Sequence, residues 1–73
     1  MMTKKTCISN NIRTLRFMAN EMTQQQLADL VGVTRQTILA VENGKYSPSL
    51  ELAFAITRVF GKTLEEVFSY DEE

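Results

Sequence analysis

The stretch from Gln24 to Gly44, QQQLADLVGVTRQTILAVENG, leaves room for little except two short amphipathic helices joined by a tight turn. Thr23-Gln24-Gln25-Gln26 has the form of a capping box, in which the Thr23 hydroxyl accepts the Gln26 amide and the Gln26 side chain returns to the Thr23 amide. Leu27, Ala28 and Val31 then follow at helical spacing. Gly32 stands where the helix must stop, because a left-handed residue past a helix end costs glycine little. Val33 plugs the corner, Thr34 is the next N-cap, and Ile38 and Val41 repeat the apolar spacing until Asn43-Gly44.

The outer face of the second helix gives this hairpin a chemistry. Arg35, Gln36 and Thr37 fill its first turn, and Leu39, Ala40 and Asn43 continue outward. Arginine reads guanine O6 and N7 bidentately, glutamine does the same for adenine N6 and N7, and a threonine or alanine methyl packs on the thymine methyl. A helix with such residues in its N-terminal turn suits the recognition position of a helix-turn-helix that reads DNA. The same apolar pattern also fits one hairpin of an ordinary helical bundle; the polar first turn is what favours DNA.

Around the hairpin the pattern predicts an all-α, five-helix domain. A first helix runs from Asn10 to Met18 or Ala19, capped by Ser9 or Asn10, with Ile12, Leu15 and Met18 on one stripe. Asn20-Glu21 forms a polar break before Met22. Lys45 to Ser49 is a loop, and Ser47-Pro48-Ser49 starts a fourth helix with Leu52, Ala53, Ile56 and Phe60 inward, ending at Gly61. Thr63-Leu64-Glu65-Glu66 is a second capping box, opening a short fifth helix that buries Leu64, Val67 and Phe68. Thr6-Cys7-Ile8 and Phe68-Ser69-Tyr70 carry β-compatible residues that can pair as a two-stranded ribbon of the termini; the alternative is a loose basic arm at Lys4-Lys5 and a frayed acidic tail.

Size and charge bound the function. Seventy-three residues, 44 % of them hydrophobic, make one domain spanning 1–73 with one modest core, which dimerisation would help. No run approaches the roughly twenty apolar residues of a membrane span, and no signal peptide is visible, so a cytoplasmic location is expected. With no histidine and one cysteine there is no usual zinc set, no cofactor motif and no credible catalytic constellation, so an enzyme is not expected. Cys7 reads as a small apolar residue, with a redox-sensing thiol as the alternative. Met1, Met2, Met18 and Met22 are starts and core fillers, and Tyr46 and Tyr70 are packing or surface residues. The net charge of -1 looks wrong for a nucleic-acid binder until it is divided. Residues 1–48 carry +3 and residues 49–73 carry -4, as expected if the first part faces phosphate and the end points away.

Four ordered segments, NNIRTLR at 10–16, TQQQLADLVGVTRQTI at 23–38, VENGKYSPSLELA at 41–53 and GKTLEEVF at 61–68, resemble the Cro/CI-type (xenobiotic-response-element-like) helix-turn-helix family of phage and bacterial repressors, in particular its minimal single-domain members. The resemblance covers about residues 8–70 and implies the lambda-repressor-like fold. One departure is the link from Met18 to Met22, one residue longer than the family's arginine-glycine-leucine turn and without its glycine. Carried over, the resemblance implies that Arg35 and Gln36 read base edges, with Thr37, Leu39 and Ala40 adding apolar or shape contacts. Gln24, Thr34, Asn43, Lys45 and Tyr46 would meet or support the phosphate backbone. Arg16 and Glu42 would form a structural ion pair between the first and third helices.

The partners expected are a double-stranded DNA operator and a second copy of the chain, with no membrane and no small-molecule ligand. Leu50 and Phe54 stand at i and i+4 on a helix whose core stripe is already filled, so a dimer face is expected at Leu50, Phe54, Leu64, Val67, Phe68 and Tyr70. A homodimeric repressor on a pseudo-palindromic operator is the leading reading. The alternative is an antitoxin-like regulator whose main work is binding a protein partner.

Overall fold

Thr23, Thr34, Ser49 and Thr63 each cap a helix in the computed structural model, which describes residues 7–71 of the chain. In chain order the elements are β1 (Ile8–Asn10), α1 (Ile12–Met18), α2 (Gln24–Val31), α3 (Arg35–Glu42), α4 (Leu50–Phe60), α5 (Leu64–Val67) and β2 (Phe68–Tyr70). Both capping boxes form reciprocally: Gln26 N donates to Thr23 Oγ1 at 2.9 Å and Thr23 N to Gln26 Oε1 at 2.8 Å, and Thr63 and Glu66 repeat the exchange. Each box satisfies two amides that a helix end would otherwise leave without partners.

The helices share one core. Ile12 of α1, Leu27 and Ala28 of α2, Ile38 and Val41 of α3, Ile56 of α4 and Val67 of α5 are buried, with Ile8, Leu15, Met22, Val33 and Leu64 packed against them. Each large aliphatic side chain removed from water in this way contributes roughly 1.5 to 3 kcal/mol. No described helix is long and apolar enough to cross a membrane.

The termini do pair, two residues out of step with the expectation on the N-terminal side. β1 and β2 are antiparallel, with Ile8 opposite Tyr70, Ser9 opposite Ser69 and Asn10 opposite Phe68. Thr6 and the Lys4-Lys5 arm lie outside the described residues. Asp71 N donates to Cys7 O at 2.7 Å and Asn11 N to Val67 O at 2.9 Å, which carries the ribbon past both of its ends. Because Ser9 and Asn10 are spent on the strand, neither is the N-cap of α1: the helix starts at Ile12 behind Asn11, later than the sequence pattern suggested. Asn10 helps indirectly, its Oδ1 accepting Ile12 N at 3.0 Å.

Three further expectations change. Met18 is 71 % exposed and does not join the core stripe. At about 100° per residue, six positions carry Met18 about 120° away from Ile12, whereas Ala19, seven positions on, returns to nearly the same line; Ala19 is half-buried accordingly. Pro48 lies ahead of α4 rather than in its first turn, since Ser49 is the cap and accepts Leu52 N at 3.1 Å. Phe60 is only half-buried, and Thr57 takes an inward place on α4. The link after α1 turns without glycine by holding Asn20 and Glu21 at φ +61° and +56°. Both are left-handed, a conformation with a steric cost for side chains beyond glycine.

Candidate nucleic-acid interface

α3 is held at both ends by its own sequence. At its start Thr34 accepts Thr37 N at 3.3 Å, and the Thr34 and Thr37 hydroxyls lie 3.2 Å apart. At its end Gly44, at φ +73°, lets Gly44 N reach Val41 O at 3.1 Å and Lys45 N reach Ala40 O at 3.0 Å, the paired bonds of a left-handed helix stop. α2 ends the same way, with Gly32 at φ +78° and Val33 N donating to Ala28 O at 3.0 Å. The corner between α2 and α3 is therefore short, and Val33 closes it by packing on the core.

With Ile38 and Val41 turned inward, the first turn of α3 points Arg35 and Gln36 into solvent. Neither has a side-chain hydrogen bond or ion pair among the described residues, so their donors and acceptors are free for a partner. Thr37 is half-buried with its hydroxyl beside Thr34, which leaves its methyl as the group it can offer. Leu39 and Ala40 are half-buried rather than fully outward. Thr34, Asn43, Lys45 and Tyr46 are exposed around the two ends of α3.

The relation of α3 to the rest is set by one polar cluster. Arg16 Nε donates to Glu42 Oε2 at 2.6 Å and Arg16 Nη2 to Glu42 Oε1 at 3.1 Å, a two-pronged pair whose side chains are 15 % and 6 % exposed. The third guanidinium nitrogen, Nη1, donates to Met22 O at 2.8 Å. Gln24 Nε2 adds a 3.2 Å bond to Glu42 Oε1. Glu42 at the end of α3 thus gathers α1 and the start of α2, and Arg16 adds the link. The fork geometry gives orientation as well as energy. Gln24 is consequently half-buried and partly committed within the protein, leaving one amide hydrogen for the phosphate contact that the resemblance implies. Asn10 supplies a tie that sequence spacing did not suggest, Nδ2 donating to Val41 O at 3.0 Å across 31 positions.

The expected dimer residues separate into two groups. Leu50, Phe54 and Tyr70 are 67 %, 48 % and 68 % exposed, and Leu64 is half-buried. Val67, the last residue of α5, and Phe68, the first of β2, instead belong to the chain's own core at 1 % and 8 % exposure, which bears out their reading as buried and removes them from a partner face. Leu50 and Tyr70 flank adjoining hollows that Ile8, Leu64 and the edge of Phe68 line in common.

Comparison with known proteins identifies the family and the fold. The helix-turn-helix family model matches residues 12–67. An uncharacterised helix-turn-helix-type transcriptional regulator from Methanocaldococcus jannaschii is 46 % identical over 66 residues, 90 % of this chain and 98 % of the relative. A similarly named protein from Archaeoglobus fulgidus is 56 % identical over 52 residues, 71 % of this chain and 73 % of the relative. The cryptic phage CTXphi transcriptional repressor RstR from Vibrio cholerae is 34 % identical over 64 residues, 88 % of this chain and 57 % of the relative. Among solved structures, a candidate DNA-binding protein from Bacteroides fragilis superimposes with a TM-score of 0.72 at 19 % identity, over 85 % of this chain and 98 % of that one, and so shares the fold. The chain belongs to the Cro/CI-type helix-turn-helix family of transcriptional regulators.

Proposed function

We propose that this protein is a sequence-specific DNA-binding repressor, a single domain that acts as a homodimer on a pseudo-palindromic operator in the cytoplasm. The observation that carries the proposal is the first turn of α3, where Arg35 and Gln36 stand exposed and, among the described residues, unpartnered on a helix whose pose the Arg16–Glu42–Gln24 cluster holds. Both side chains match base edges of the major groove. A bidentate pairing in water would be weak unless the helix arrived already oriented, and that is what the cluster provides. Thr34, Asn43, Lys45 and Tyr46 surround the two ends of α3 and are suited to position it on the phosphates; Gln24 can join them with its remaining amide hydrogen.

The exposed Leu50, Phe54 and Tyr70 support the homodimer, since a two-fold pair would set two copies of α3 about 34 Å apart, one turn of B-DNA. The relationship to a phage repressor supports the negative sign of regulation. A second reading, an antitoxin-like regulator with a protein partner, draws on Phe17, Met18 and Leu30, which are 69 %, 71 % and 62 % exposed and are not needed by the first reading. Selection of bound sequences from a random duplex pool tests the proposal: two related half-sites about ten base pairs apart are expected. Recovery of no sequence above background, with the protein folded, would overturn it.

A further inference from the structure

The cluster around Glu42 opens onto a polar hollow lined in part by Arg13, Gln24, Leu39 and Asn43. Arg13 lies three residues before Arg16, so the two share one side of α1. Their situations are opposite. Arg16 is spent: its charge is matched by Glu42, which also takes the Gln24 amide. Arg13 is exposed and has neither an ion pair nor a hydrogen bond among the described residues. Glu42 and Arg16 cancel, which leaves Arg13 as the uncompensated charge of the hollow. Asn43 and the second amide hydrogen of Gln24 add neutral donors beside it. Among the described residues, one free cation and neutral donors from α1, the start of α2 and the end of α3 thus line the same hollow.

We propose that Arg13 binds a backbone phosphate of the operator, extending the phosphate track of Gln24 and Asn43 from the helix-turn-helix onto α1. The inference rests on the DNA-binding reading above. It explains why a cation at this place is left without a partner while its neighbour three residues on is fully paired. A phosphodiester of duplex DNA suits the hollow better than a free small anion, because one exposed arginine holds an isolated ion weakly, whereas neighbouring contacts keep a DNA phosphate in place.

The test measures the salt dependence of affinity for the selected duplex with the full chain, its Arg13→Gln and Arg13→Lys variants, and Lys45→Ala for comparison, each checked for folding by circular dichroism. Loss of one phosphate contact lowers the slope of log K against log salt by about 0.9, so between 50 and 200 mM salt Arg13→Gln should lose about 3.5-fold less affinity than the parent. Arg13→Lys should keep the parental slope, and the base preference of Arg13→Gln should be unchanged. A parental slope in Arg13→Gln, while Lys45→Ala is reduced, overturns the assignment of Arg13 and leaves the DNA reading standing. Absence of duplex binding by the parent overturns both. Inorganic phosphate at constant ionic strength should inhibit the parent and Arg13→Gln alike; selective inhibition of the parent would assign the hollow to a free anion instead.

Discussion

Removing one half of the Arg16–Glu42 pair should cost far more than removing both. The two side chains are 15 % and 6 % exposed, so either one left alone is a charge largely taken from water. Breaking such a pair from one side costs about 3 to 5 kcal/mol. Glu42→Leu should fall near the lower end, about 3 kcal/mol, because Arg16 keeps its bond to Met22 O and enough exposure for water to reach it. Against roughly 4 to 11 kcal/mol of total stability for a chain of 73 residues, that is a large share. With a urea m-value of about 1 kcal/mol/M, the midpoint should move down by about 3 M. Arg16→Met should act similarly, since it strands the Glu42 carboxylate with Gln24 Nε2 as its remaining side-chain donor. The double variant Arg16→Met/Glu42→Leu should return to within about 1 kcal/mol of the parent, so that the two single losses of about 3 kcal/mol each imply a coupling energy of about 5 kcal/mol in magnitude. Urea unfolding followed by circular dichroism on all four proteins measures this. Two small single effects that simply add in the double variant would refute the reasoning. The stable double variant should still bind its operator less well, because α3 would have lost the tie that orients it.

The other predictions concern the base readers, the strained link, a cap and the dimer face. Arg35→Ala and Gln36→Ala should each lose roughly 1 to 3 kcal/mol of specific affinity with the fold intact, and unchanged operator binding by both would remove them from base reading. Glu21→Gly should stabilise by about 0.5 to 1 kcal/mol, the left-handed penalty of about 1 to 2 kcal/mol outweighing glycine's extra chain entropy; a lower midpoint in thermal unfolding would contradict the φ of +56°. The Thr63 backbone amide, donating to Glu66 Oε1 at 2.8 Å, holds the Glu66 carboxyl below its ordinary pKa of 4.5, so this box supports the fold above that pH and its contribution fades as pH falls through the lower folded-state value. Glu66→Gln should flatten that part of the pH-stability curve, and an identical acid limb in the variant would speak against it. Phe54→Ala should shift the monomer–dimer balance toward monomer in sedimentation at micromolar concentration and weaken operator binding; a parent that is already monomeric, with operator affinity unaffected by Phe54→Ala, would count against this face.

Short-range sequence made the caps of α2 to α5, the stops of α2 to α4 and most of their inward residues legible, though not the start of α1, the outward turn of Met18 or the left-handed Asn20-Glu21 link. Thr23, Thr34, Ser49 and Thr63 cap their helices through bonds to the third residue on, and Gly32 and Gly44 end α2 and α3 through bonds within the last turn. Apolar spacing likewise identified Leu27, Ala28, Ile38, Val41 and Ile56 as inward, because burial follows helical period. The Arg16–Glu42 pair became legible only through resemblance, since nothing local joins positions 26 apart. Tertiary structure alone decided the rest. Where β1 begins depends on pairing with residues about sixty positions away, and that pairing took Ser9 and Asn10 from the start of α1. The sequence pattern fits Val67 and Phe68 both to burial by the fifth helix and to a dimer face, and packing decided for the core. The use of Gln24 within the protein and the solitude of Arg13 depend on three helices converging at one glutamate. A hydrogen bond across a fold needs an address that no local pattern contains, because the chain between its ends can be closed in many ways at nearly equal entropic cost.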